Sequence, residues 1–376
     1  MRDDRTVLPS QVGLHGSTNI FPALKGWAIF IASKRYHLPS MSQFPFDQRA
    51  CFIAGQAKSG TTLVAALLDN HPELLVLPQE TAYLPTVLRK YRDAGRRVQF
   101  EYLTKQSFSR VLFGGEPKWR EHQYKNFPQR KFLETFERVA FDPANAQRDL
   151  LALMAEAYAT TIGVALDRIK HWVEKTPANR NHVDEIFARF PTTKLLVTLR
   201  DPRAILATQI ALEKARRTQR FSVYYVIAHW RVAAELALRV RAGDVPGLFV
   251  QFEQLVSEPA KVMKEVCDYL NIQFDPEVVL SPTKIGEPWG GNSAAQIAFS
   301  KINAEPASRW ERELSEDEIG WVERHCRDLM PEFGYQPRLS QRTLRHFAKP
   351  IRGERPREYL KSRLYSIRDA WIRPWT

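Results

Sequence analysis

Cys51-Phe-Ile-Ala-Gly-Gln-Ala-Lys-Ser-Gly-Thr-Thr-Leu63 decides how this chain is read. Cys51 to Gly55 is a short apolar run closed by glycine, the length of a buried strand and too short for a helix. Gln56 to Gly60 is a loop of small residues around Lys58. Thr61 and Thr62 then open a helical run that stops at Asn70-His71-Pro72. Strand, tight loop and helix N-terminus in that order make an anion site, because unpaired backbone N–H groups and the positive end of the helix dipole converge on one point. Lys58 adds a full positive charge there, and Thr61 and Thr62 add hydroxyl donors. The plain alternative is an ordinary glycine turn between strand and helix.

Gly55 and Gly60 have the spacing of the nucleotide P-loop, G-x-x-x-x-G-K-[ST]. Thr61 stands where that motif has its lysine, and the lysine lies inside the loop at Lys58. Such a loop suits a donor with a single 5′-phosphate better than a nucleoside triphosphate with Mg²⁺. The string Gly55 to Thr62 resembles the 5′-phosphosulfate loop of the sulfotransferases that use 3′-phosphoadenosine 5′-phosphosulfate (PAPS). That resemblance implies PAPS as donor, PAP as product and no metal. It places Lys58, Ser59, Gly60, Thr61 and Thr62 around the donor.

Further along, Leu74 to Leu77 reads as a second buried strand closed by Pro78, with Glu80 just past its carboxyl end. Ligands of open α/β sheets bind outside the carboxyl ends of the strands, so Glu80 and the Lys58 loop are expected to share one mouth. Gln79-Glu80-Thr81 resembles the element of tyrosylprotein sulfotransferases and their bacterial relatives in which a glutamate before a threonine is the general base. Ala82 departs from the tyrosine-sulfating enzymes, which have an arginine there for acidic peptides; this weakens the case for a peptide acceptor. The competing reading of Glu80 is a helix-capping neighbour ahead of a helix from Tyr83.

His171-Trp-Val-Glu-Lys-Thr-Pro177 reads as a strand ending at Lys175, with Pro177 early in the next helix. It resembles the Lys-x-Pro element that supplies a second lysine to the transferring sulfuryl group. His171 and His182 read as a strand-start residue and an exposed helix residue. Leu195 to Leu199 is a continuous apolar run, as in a central parallel strand. Arg200 at its end and Thr208 eight residues on resemble the family's 3′-phosphate site, where serine is usual at the second position. A guanidinium suits phosphate because its fork matches two oxygens at once. The glycine-rich stretch Gly286 to Ser293 reads as a loop. The resemblance implies that such a loop closes the donor site, with Lys301, Asn292 and Ser293 as candidate contacts.

The remaining sequence bounds the reading. The chain has 376 residues, 44% hydrophobic and 26% charged, enough for one large α/β domain or two ordinary ones. Its three cysteines are scattered, with no zinc spacing and no even framework, which favours a reducing compartment. The net charge is +13, and residues 338–376 carry +8 of it through eleven Lys/Arg against three Asp/Glu. No basic and aromatic cluster matches a nucleic-acid module. Ile20 to Ala32 is apolar but short of a bilayer span, and the expected location is cytoplasmic.

Buried strand candidates alternate with helical patterns, which gives an α/β three-layer, P-loop-like fold with a central, mostly parallel sheet. The expected divisions are an N-terminal extension (1–48), a sulfotransferase domain (49–337) and a basic tail (338–376). Residues 83–165 read as a mostly helical insertion on the acceptor side, with one helix from Pro143 to Gly163. In the tail, Leu360, Leu364, Ile367 and Trp371 fall on one helical face among basic residues. That face suits peripheral contact with an anionic membrane, or, as the preferred reading, packing on the domain itself or in a homo-oligomer. The combined expectation is sulfuryl transfer from PAPS to a hydroxyl or amine of a carbohydrate, lipid or other small molecule. Two rivals stay open: a P-loop kinase or NTPase, and a non-catalytic interaction protein retaining the nucleotide fold.

Overall fold

The computed structural model describes residues 44–107, 127–216, 223–291, 302 and 305–344. Five strands form one parallel sheet: β1 (Ala50–Gly55), β2 (Leu74–Val76), β3 (His171–Lys175), β4 (Lys194–Leu199) and β5 (Leu248–Gln251), in the order β2-β3-β1-β4-β5. β1 is central and wholly buried. Ile53 pairs with Lys175 of β3 on one side and with Leu196 of β4 on the other. From β1 the chain steps to one side for β2 and β3 and to the other for β4 and β5. The crevice at such a reversal opens at the carboxyl ends of the strands.

Side-chain alternation divides the core between two faces of the sheet. Cys51, Ile53, Val173, Leu196 and Val250 pack with α1 (Thr61–Leu68). The opposite face carries Phe52 and Trp172, whose rings meet edge to face at 5.8 Å, with Phe190 packed against both. Further helices in chain order are α2 (Gln129–Phe141), α3 (Leu150–Ile162), α4 (Val183–Arg189), α5 (Pro202–Arg216), α6 (Val223–Arg241), α7 (Phe252–Ser257), α8 (Pro259–Leu270) and α9 (Glu316–Cys326). α8 completes the first face through Val262, Met263, Val266, Cys267 and Leu270, a one-sided spacing that buries one stripe of the helix. The fold is therefore the three-layer α/β arrangement expected, with the sheet parallel throughout.

Several elements differ from the sequence reading. The helix expected over 143–163 is two pieces: a tight turn at Pro143–Asn145, then α3. The break arises because the Asp149 carboxylate accepts the Leu151 N–H at 2.9 Å, which caps a new helix start. Tyr83–Leu88 is a widened, π-helical turn in which the Val87 N–H reaches back to the Ala82 carbonyl. Within the glycine-rich stretch expected to be a loop, Glu287–Pro288 pairs with Thr283–Lys284 as a short hairpin. The Ser315–Glu318 capping box starts α9, which ends at Cys326. Among the described residues no helix is long and apolar enough to cross a membrane. The apolar stretch near residue 20 and the amphipathic tail segment lie outside the described residues.

Candidate active site

All five strands run in one direction, so their carboxyl ends and the segments that follow share one edge of the sheet. After β1, residues 56–60 make the tight loop. Gly55 and Gly60 have φ of +152° and +92°, and Lys58 also lies in the left-handed region at +76°. At the glycines, side chains are excluded by space as well as by φ. A Cβ on Gly55 would meet the Thr198 carbonyl at 2.5 Å, and one on Gly60 the Phe252 ring at 2.7 Å. Ser59 is fully buried; its hydroxyl donates to the Gln56 carbonyl at 2.6 Å and lies 2.8 Å from Thr198 Oγ1. Its N–H also donates to the Gln56 carbonyl. Ser59 thus holds the loop's shape. α1 starts at Thr61, so the first N–H groups of that helix have no partner inside it. Thr61 is buried and Thr62 half-buried beside them.

Arg200 follows β4 and is buried. Its Nη1 donates to the Lys58 carbonyl at 3.1 Å and to Thr208 Oγ1 at 3.3 Å, and Nη2 donates to the Pro306 carbonyl. The guanidinium stacks 4.4 Å from the centre of the Phe252 ring. Its Nε is buried without a hydrogen-bond partner, and among the described residues no carboxylate forms an ion pair with it. Burial pushes Arg200 down to about 10, so it remains charged at neutral pH. A buried cation held by carbonyls, a hydroxyl and a ring, with a donor left over, fits an anionic ligand. Arg200 and Thr208 are thus brought together, and Arg200 joins the pair to the Lys58 loop.

Across β1, the segments after β2 and β3 meet. Lys175 is the last residue of β3, and its Nζ lies 2.7 Å from Glu80 Oε1; the lysine is buried and Glu80 half-exposed. The sequence reading placed Glu80 and Lys175 at strand ends, and the structure joins them in one ion pair. Asn292, Ser293 and Lys301 lie outside the described residues.

Three features escaped the sequence reading. Glu174 is buried between Val173 and Lys175 on β3, and its only signal was a charge inside an apolar strand. Arg180 braces the first loop by donating to the Gly55 carbonyl at 2.9 Å, and its Nη2 donates to His229 Nδ1. Burial, reinforced by the Arg180 charge, pushes His229 down to about 3, so the ring is neutral. His182, expected to be an exposed helix residue, instead precedes α4 and is half-buried. Burial pushes it down to about 4. Among the described residues no cluster of His, Cys, Asp or Glu is placed to hold a metal ion.

The chain is 25% identical over 299 residues to protein-tyrosine sulfotransferase 2 of Gallus gallus, covering 76% of this chain and 69% of that protein. It is 26% identical over 304 residues to protein-tyrosine sulfotransferase 1 of Danio rerio, covering 77% and 73%. Among solved structures, it is similar to the sulfotransferase domain from the Synechococcus PCC 7002 olefin synthase, at TM-score 0.48 and 18% identity over 81% of this chain and 99% of that one. The sulfotransferase family model matches residues 51–276. That span runs from β1 past β5 and includes the Lys58 loop, the Glu80–Lys175 pair and Arg200. With more than half its length matched, the chain belongs to the sulfotransferase family.

Proposed function

We propose that this enzyme uses PAPS as its donor and sulfates a hydroxyl or amine on a carbohydrate, lipid or other small molecule. The observation that carries the donor reading is Arg200: a buried guanidinium, in no ion pair among the described residues, tied to both the Lys58 loop and Thr208. In this reading the N–H groups at the start of α1, with Thr61 and Thr62, hold the 5′-phosphate. Arg200 and Thr208 hold the 3′-phosphate. PAPS brings the activated sulfuryl group and leaves as PAP.

Glu80 takes the proton of the acceptor hydroxyl, a general-base role open to a carboxylate at the mouth of the site. Lys175 and Lys58 neutralise the negative charge that builds on the transferring group and the leaving oxygen. Such fixed cations cost no reorganisation during the reaction. The Glu80–Lys175 pair supports this division of labour, because it puts the proton acceptor and a charge neutraliser in hydrogen-bond reach of each other. Ala82 supports a non-peptide acceptor, since this position offers a methyl group rather than a guanidinium for an acidic peptide.

The test is incubation of the full chain with radiolabelled PAPS and a panel of acceptors: a sugar, a long-chain alcohol, a phenol and an acidic tyrosine peptide. Label on one of the first three is expected. Label on the peptide alone would overturn the acceptor reading. No transfer to any of them, with Mg²⁺-dependent ATP hydrolysis instead, would overturn the donor reading.

A further inference from the structure

Glu174 sits on β3 beside Lys175, 1% exposed, and among the described residues it forms no ion pair. Its carboxylate instead gathers four donors. Oε1 accepts from the Thr81 N–H at 3.1 Å, the Thr81 hydroxyl at 2.8 Å and the Thr176 hydroxyl at 2.6 Å; Oε2 accepts from Asn179 Nδ2 at 2.6 Å. The two hydroxyls pass the connection on. Thr176 Oγ1 accepts the Ala82 N–H at 3.3 Å, and Thr81 Oγ1 accepts the Tyr83 N–H at 3.2 Å. Three consecutive N–H groups after Glu80 therefore end on Glu174, directly or through one hydroxyl.

That segment is not a relaxed one. Ala82 has φ of +49°, a left-handed conformation that costs a residue with a side chain about 1–2 kcal/mol. The π-helical turn starts immediately after it. Burying a carboxylate without a cation is also costly unless its lone pairs are filled. Both costs fall in the few residues around Glu80 and the strand end that carries Lys175. A buried apolar residue at position 174 would close the strand more cheaply but would leave the Thr81 N–H, and the two hydroxyls that hold the Ala82 and Tyr83 N–H groups, without their acceptor.

We propose that Glu174 is the positioning residue of the catalytic pair: it anchors the turn after Glu80 to the strand that ends in Lys175, and so fixes the carboxylate against the lysine. This rests on the reading of Glu80 as the base. It assigns Glu174 no contact with donor or acceptor.

The variants are E174Q, T81V and T81S in the full chain, alone and with E80Q. Each is assayed for PAP affinity by calorimetry and for kcat and KM with radiolabelled PAPS and the best acceptor of the panel. A crystal structure of E174Q is the arm that needs no acceptor. Gln keeps the shape of Glu174 but turns a donor toward Asn179 or the threonines. Misplacing a catalytic group by about 1 Å costs about 10²-fold. E174Q and T81V should therefore lose about that factor in kcat, with PAP affinity and KM for PAPS unchanged. T81S, which keeps the hydroxyl, should run near the wild-type rate. E174Q should slow E80Q no further, because its effect passes through Glu80. In the E174Q crystal, the Glu80 carboxylate should stand beyond hydrogen-bond reach of the Lys175 ammonium.

If E174Q fails to fold, the T81V and T81S pair decides. Wild-type kcat in E174Q, a full further drop in rate on the E80Q background, T81S as slow as T81V, or an unaltered Glu80–Lys175 pair in the E174Q crystal would each overturn the proposal. Undiminished turnover in E80Q would instead remove the base reading, and this proposal with it, while PAP binding still reported on the donor site.

Discussion

At the scale of single residues, the decisive property is where charge sits relative to the sheet edge. Lys175, Glu80 and Arg200 each lie at or just past a strand end, so their place along one sheet edge was legible once the strands were recognised. Glu174 and Arg180 were not, because their meaning comes from partners far along the chain: Thr81 for one, the Gly55 carbonyl for the other. If Glu80 is the base, E80Q should lower turnover by about 10²–10⁴-fold while PAP still binds. His229 gives a second residue-scale prediction. The folded state holds it down to about 3 by burial and the Arg180 charge, whereas the unfolded chain takes up its proton near the ordinary value of 6.5. Between those two values the unfolded state binds more protons, so the contribution of His229 to stability falls as pH falls, by about 1.4 kcal/mol per unit at most. H229N keeps an acceptor for Arg180 without a titrating ring. Urea unfolding at pH 7.5 and 5.0 should show the wild type losing about 2 kcal/mol more than H229N. Parallel losses would contradict the buried, neutral ring.

At the scale of elements, the loop between β1 and α1 was readable because its glycines are demanded locally. Gly60 combines φ of +92° with a Cβ position 2.7 Å from the Phe252 ring. G60A should therefore cost about 2–4 kcal/mol in denaturant unfolding, from left-handed strain and overlap together. A loss below about 0.5 kcal/mol, the level of an indifferent surface substitution, would mean that the loop has other conformations. The elements that the sequence misplaced share a different cause. α3 starts at Leu150 because the Asp149 side chain competes for a backbone N–H, and the Tyr83–Leu88 turn widens behind a left-handed Ala82. Apolar periodicity carries neither signal; both depend on hydrogen bonds that periodicity does not record.

At the scale of the whole molecule, the five-stranded order brings the separate motifs to one edge of the sheet, and strand patterns alternating with helices had announced that sheet. Packing among the described residues continues past the boundary expected at residue 337. Residues 338–344 are held on α9: the Arg338 and Leu339 N–H groups donate to Glu323 at 2.8 Å, and Leu344 is buried. Glu323 is itself buried and paired at 2.6 Å with Arg203, which also stacks on Trp310. Truncation to test the basic tail therefore belongs after residue 344. Deleting 345–376 should leave PAP affinity unchanged and alter either the mass in solution or binding to anionic liposomes; a protein unchanged in both would show that the tail does neither. The central claim is that the Lys58 loop and Arg200 form one nucleotide site, and calorimetric titration of PAP into the wild type, K58A and R200A tests it most directly. PAP should bind the wild type, ATP should not replace it, and each variant should lose about 1.5–3 kcal/mol with the fold intact. Equal PAP affinity in all three proteins would contradict it.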